Sequence, residues 1–64
     1  MNKYYYEFDE EAEAAELAMR WRVYRSEGKN LKNEDVSIEI AKCYEEADAQ
    51  EIVEALNNMF LISQ

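Results

Sequence analysis

The spacing of apolar positions along the chain predicts four elements in the order strand, helix, strand, helix. Lys3-Tyr4-Tyr5-Tyr6-Glu7-Phe8 and Val36–Cys43 are rich in aromatic or β-branched residues and partly alternating, the pattern of half-buried strands. Between them Ala14, Leu17, Ala18, Trp21 and Tyr24 recur at intervals of three, one, three and three, the stripe of an amphipathic helix over about residues 9 to 27. Asp9 is its predicted N-cap, and its first turn is acidic. Arg20, Arg22 and Arg25 fall in its last turns, so the charges match the helix dipole, and Glu16 with Arg20 adds an i,i+4 pair. Gly28, the only glycine, is the expected left-handed cap. Beyond it Ala49, Ile52, Val53, Leu56, Met59 and Phe60 share one face of a second helix that begins near Tyr44. Asn57-Asn58 could end that helix early and leave Met59 to Ser63 as an extended tail.

The pattern is reinforced by an internal repeat. Glu10-Glu11-Ala12-Glu13-Ala14-Ala15-Glu16-Leu17-Ala18 returns 35 positions later as Glu45-Glu46-Ala47-Asp48-Ala49-Gln50-Glu51-Ile52-Val53, with five of nine positions identical. Self-similarity at a fixed period points to repeated supersecondary units. The expected fold is therefore α+β: one domain over residues 1–64, built from two βα repeats (about 1–28 and 36–64) joined by a polar loop at 29–35, with both helices covering one face of a small sheet. If the strands are parallel neighbours, Tyr6 and Phe8 align with Ala41 and Cys43, while Val36, Ile38 and Ile40 point the opposite way. Two strands alone are not stable in water. A homodimer that completes the sheet is the favoured solution, with Tyr5, Val36, Ile38, Ile40 and Phe60 as its apolar face. A short C-terminal strand from Phe60, Leu61 and Ile62 is the alternative within one chain.

Length and composition narrow the function. A folded chain of 64 residues buries only about 60% of the surface its unfolded form exposes. One cysteine and no histidine leave neither a disulfide nor a histidine-bearing zinc site to reinforce it within one chain. The N-terminal stretch has no apolar run of signal-peptide length and no segment approaches a membrane span, so a soluble cytoplasmic protein with a reduced thiol is expected. Net charge is −8, and it is unevenly placed: residues 7–16 carry six acids and no base, 20–32 are basic, and 34–54 are acidic again. Such a chain is repelled by nucleic acid and anionic membranes and drawn to basic partners. Arg20, Arg22 and Arg25 beside Trp21 and Tyr24 could stack on single-stranded nucleic acid, but the aromatics lie in the predicted core stripe.

Catalytic chemistry is sparse. Without histidine there is no imidazole base and no Ser-His or Cys-His pair. A single glycine excludes phosphate-cradling loops, and Cys43, ending an apolar strand, reads as a small buried hydrophobe. The expectation is a non-enzymatic protein with no catalytic residues, no cofactor and no metal. What remains is an acidic surface, Glu10, Glu11, Glu13, Glu16, Glu45, Asp48, Glu51 and Glu54, able to imitate a phosphate backbone and occupy the basic nucleic-acid-binding groove of a protein partner. In size and charge the chain resembles small acidic phage inhibitors of restriction and CRISPR nucleases, a likeness of overall character that rests on no shared motif. A dimeric regulatory or ligand-binding module, and a structural scaffold without a specific partner, are the alternatives.

Overall fold

The structure, a computed structural model, describes residues 3–62 and their side chains as far as Met59. Its elements are β1 (Tyr4–Phe8), α1 (Glu10–Ala14), β2 (Trp21–Lys29), β3 (Asp35–Cys43) and α2 (Glu46–Ile62). The strands form one antiparallel sheet in the order β1-β2-β3, and α2 packs across one face. This overturns the βαβα expectation. The two predicted strands exist, but neither pairs with the other; β2 lies between them, drawn from the segment assigned to the first helix. The alternative C-terminal strand is overturned too, because α2 continues through Ile62.

Residues 21–29 form a strand for a reason visible in their chemistry. Trp21 and Val23 alternate with Arg22 and Tyr24, a period of two superimposed on the three-residue step from Trp21 to Tyr24, and tryptophan, valine and tyrosine all favour extended backbone. The tyrosines of β1 supply the partner: Tyr5 faces Tyr24, Tyr6 faces Val23 and Phe8 faces Trp21. For the chain to fold back, α1 must stop. It does so in a left-handed turn at Glu16 (φ 59°), where Glu16 N–H donates to Glu13 O (3.0 Å) and Leu17 N–H to Ala12 O (2.9 Å). That pair of bonds is a Schellman ending, here with glutamate where glycine is usual. Gly28 does adopt positive φ (88°), but within β2, beside a register shift between Ser26 and Gly28. It is a bulge glycine rather than a helix cap.

The β2–β3 turn, Asn30 to Glu34, is tied locally. Asn30 Oδ1 accepts from Lys32 N–H (2.9 Å) and Glu34 N–H (3.0 Å), and Asn33 takes the left-handed conformation (φ 64°) that asparagine tolerates. The core is small: Val23, Cys43 and Ala49 are buried, with Tyr6, Trp21, Ala41, Ile52 and Val53 packed around them. Trp21 meets Tyr6 and Phe8 edge-on, at centroid distances of 5.8 and 5.0 Å. With one helix on one side, the molecule is a slab of 38 × 30 × 14 Å. It exposes 5086 Å², where a compact monomer of this length exposes about 4,300 Å².

Candidate functional site

Because side chains alternate along a strand, the residues between those that face α2 form the open side of the sheet. Tyr5 and Tyr24 stack there, 5.2 Å between centroids and 21° between planes, and the Tyr5 hydroxyl bonds Ser37 Oγ at 2.6 Å. Arg22, next to Tyr24, is held from two sides. It pairs with Asp9 at the β1–α1 junction, and its Nε lies 3.1 Å from Glu39 Oε1 on β3. A side-chain hydrogen bond with Tyr24 is the largest cause raising the Arg22 guanidinium above its ordinary range; partial desolvation opposes it, and Asp9 and Glu39 add to the rise. Asp9 also performs its predicted capping role: Oδ1 accepts from the N–H groups of Glu11 (3.1 Å) and Ala12 (3.2 Å). Oδ2 is enclosed and faces Arg22. One carboxylate thus starts α1 and anchors the centre of the sheet.

Around this knot Glu7, Phe8, Asp9, Glu10, Glu11, Arg22 and Tyr24 line a shallow open depression of about 390 Å³. No family model, curated protein or solved structure matches this chain. Its surfaces must be read from their own chemistry.

All eight acids singled out in the sequence are exposed, but the structure does not gather them into one row. Glu10 and Glu11 border the open sheet face, with Glu13 and Glu16 farther along the same turn. Asp48, Glu51 and Glu54 lie on α2, which covers the opposite face. At 100° per residue these three spread over about 120° of α2 centred on Glu51, which lies opposite buried Ala49, while Glu54 is about 60° from buried Asn57; each step rises about 4.5 Å along the axis. Glu45 stands at the entry to α2, its carbonyl accepting from Ala49 N–H at 3.3 Å.

The ion pairs distribute the charge unequally. Among the described residues there are four: Arg22 with Asp9, Arg22 with Glu39, Arg25 with Glu27, and Lys29 with Asp35. All their acids belong to strands or to the β1–α1 junction, and none lies within a helix. The arginines expected at a helix C-terminus are on or beside β2, and Arg20 Nε donates to the Leu17 carbonyl at 2.8 Å.

Of the expected apolar face, Ile38 and Ile40 are exposed (45% and 40%), while Tyr5 and Val36 are half-buried. The side chain of Phe60 lies outside the described residues. Cys43 is buried, and desolvation, then the Asp48 carboxylate, pushes its thiol above the ordinary value of 9.0. Among the described residues no three histidine, cysteine, aspartate or glutamate side chains converge as metal ligands. No described helix is long and apolar enough to cross a membrane.

One structural contact lies outside the expectations above. Asn57, buried in α2, accepts from Tyr4 N–H (3.0 Å) and donates to Tyr4 O (3.1 Å). The signal was present: Asn57 falls eight residues after Ala49, on the buried stripe, where an unpartnered amide would be costly.

Proposed function

We propose that this chain is a non-enzymatic, cytoplasmic protein-binding module whose acidic α2 face engages the basic surface of a partner, in the manner of an inhibitor that occupies a nucleic-acid-binding groove. The observation that carries this reading is the division of the ion pairs. The basic residues Arg22, Arg25 and Lys29 are paired with acids of the sheet and its junction, while Asp48, Glu51 and Glu54 join no ion pair among the described residues. Asp48, Glu51 and Glu54 rise about 4.5 Å per step along the helix while turning about 60° around it, a slanted band of negative charge whose axial rise is of the same order as the 3.4 Å per phosphate of one nucleic-acid strand. Lysines and arginines placed to neutralise phosphates are attracted to such a band.

The test is a pull-down with tagged wild type and with a D48K/E51K/E54K variant, eluted with rising salt and with duplex DNA. The expected result is nucleic-acid-binding proteins on the wild type, released by salt and by DNA, and their loss from the reversed variant while its circular dichroism is unchanged. Equal recovery by both proteins would sink the reading. So would recovery of nothing that DNA displaces.

A further inference from the structure

The sheet has two edges, and the fold treats them differently. In the β1–β2 ladder Ser26 N–H bonds Lys3 O (2.7 Å) and Asp9 N–H bonds Arg20 O (2.7 Å), so the odd positions of β1 turn their backbone groups toward β2 and the even ones outward. Tyr4 is outward-facing, and the Asn57 amide closes both its N–H and its C=O. That edge is capped by the protein's own helix. Along β3 no described element does the same. Carrying the alternation through β2 makes Arg25 and Ile38 the bonded pair, which leaves Ser37 and Glu39 presenting N–H and C=O to the outside. A long open edge with exposed isoleucines is an association surface unless something covers it.

We infer that the outer edge of β3 pairs with β3 of a second copy of this chain, antiparallel about a twofold axis at Ile38. The apolar positions Val36, Ile38 and Ile40, which complement themselves about Ile38, select the occupant, and the charges select the register. Outward-facing Ser37 and Glu39 allow three neighbouring twofold registers. An axis at Glu39 sets two Glu39 carboxylates opposite each other, and one at Ser37 sets Glu39 against Asp35; like charges directly opposite are destabilising. The axis at Ile38 avoids both. It places Ser37 against the second copy's Glu39, Ile38 against the second copy's Ile38, and Val36 against the second copy's Ile40. Apolar side chains meet at the centre, and no acid stands opposite another along the paired segment. Ser37 and Glu39 exchange about four main-chain hydrogen bonds across the seam, all before the extra residue of β3 that the register shift at Val23/Tyr24 introduces. Leu31, wholly exposed at the turn, and Tyr44 fall at the ends of the same seam, so it collects four of the eight large hydrophobic residues exposed among the described ones. It also takes up surface that the chain exposes beyond what a compact monomer would.

The test uses disulfide formation to read the register. In a Cys43→Ala background, Ile38→Cys places its sulfur on the twofold axis, at a non-hydrogen-bonded pair whose Cα separation of about 4.5 Å a disulfide accepts. Under glutathione disulfide this variant forms covalent dimer at least about tenfold faster than Glu51→Cys, an exposed position on the far side of α2, because proximity rather than thiol reactivity sets the difference. Sedimentation of the wild type over a concentration series shows a monomer–dimer equilibrium, and Ile38→Lys abolishes it with unchanged circular dichroism, since that side chain is not in the core. Equal cross-linking of the two cysteine variants, faster cross-linking through Ser37→Cys or Glu39→Cys, or a wild type that sediments as a monomer throughout overturns the inference. Reversing the α2 acids leaves this dimer intact, so its success or failure is independent of partner binding.

Discussion

Two segments of nearly the same sequence take different courses in this molecule. Glu10–Ala18 yields one turn and a half of helix and then a reversal; Glu45–Val53 opens a helix of 17 residues. They even bury different alanines. Ala12 is enclosed in the first and its counterpart Ala47 is exposed, whereas Ala14 is exposed in the first and its counterpart Ala49 is at the centre of the core. Helix propensity is shared, so it does not decide the outcome. What decides it lies downstream: the first copy runs into Trp21–Lys29, which finds β1 as a partner, and the second into Asn57, which bonds β1. Short helices are marginal without tertiary contacts, and only the second copy has a sheet to lie on.

Removing the contact that most depends on the length of α2 gives the largest expected effect. Asn57→Ala deletes two hydrogen bonds and leaves the outward N–H and C=O of Tyr4 without their partner, a loss of about 2–3 kcal/mol. In a domain of this size that lowers Tm by roughly 10 °C or more, and the Tyr4 amide loses protection in hydrogen exchange. A change below about 0.5 kcal/mol would mean that α2 holds β1 by apolar packing alone.

The first copy has its own anchor, which the second lacks. Asp9 caps α1 and pairs with Arg22, while the residue at the equivalent place before the second copy is Tyr44. Asp9→Ala is expected to cost about 2 kcal/mol, near the upper end for an N-cap because the guanidinium also loses its enclosed partner. Asp9→Asn keeps an oxygen for the cap and removes the charge. Chemical denaturation of the two variants separates the roles: if they cost the same, the ion pair carries the effect and the cap little.

Several elements were legible along the chain for local reasons. The tyrosines of β1 and the β-branched run of β3 mark strands, the asparagines at 30 and 33 mark the turn between β2 and β3, and Asp9 marks a helix start. The course of α2 follows its apolar stripe. The segment 19–29 was misread because Trp21 and Tyr24 fit a helical step, three arginines fit a helix C-terminus, and Gly28 fits a cap. Each of those features has another cause in the fold: cross-strand pairing, ion pairs of Arg22 and Arg25 with acids such as Asp9 and Glu27 beside the bond from Arg20 to the Leu17 carbonyl, and a bulge. The deciding event, reversal at Glu16, carries no composition signal, since glutamate rarely adopts positive φ. The acids are exposed, but their division between two faces follows from the antiparallel pairing, which is long-range information.

That reversal offers a stabilising test of the comparison. If Glu16 is strained in its left-handed position, Glu16→Gly relieves the strain and raises stability by up to about 1 kcal/mol, although glycine adds freedom to the unfolded chain. The same change at Glu51, the counterpart in the middle of α2, lowers stability by about 1 kcal/mol. Opposite signs from one substitution at matched positions, read as urea midpoints, would show that backbone context and not residue type separates the copies. Two losses would place the end of α1 elsewhere.

The smallest effect concerns the residues that lead into each copy, exposed Phe8 and buried Cys43. Desolvation, then Asp48, raises the Cys43 thiol above 9.0 in the fold, so folding favours the neutral form. The stability tied to that shift is fully present below pH 9.0 and is lost as pH climbs from there through the raised value, because the unfolded chain ionises its thiol first. The measurement is a difference: the stability gap between wild type and Cys43→Ala is constant from pH 6 to about 8 and then closes as the unfolded thiol ionises. A gap that stays constant through pH 10 would mean that the thiol at the mouth of α2 is in contact with solvent, and that the second copy is no better sealed at its entrance than the first.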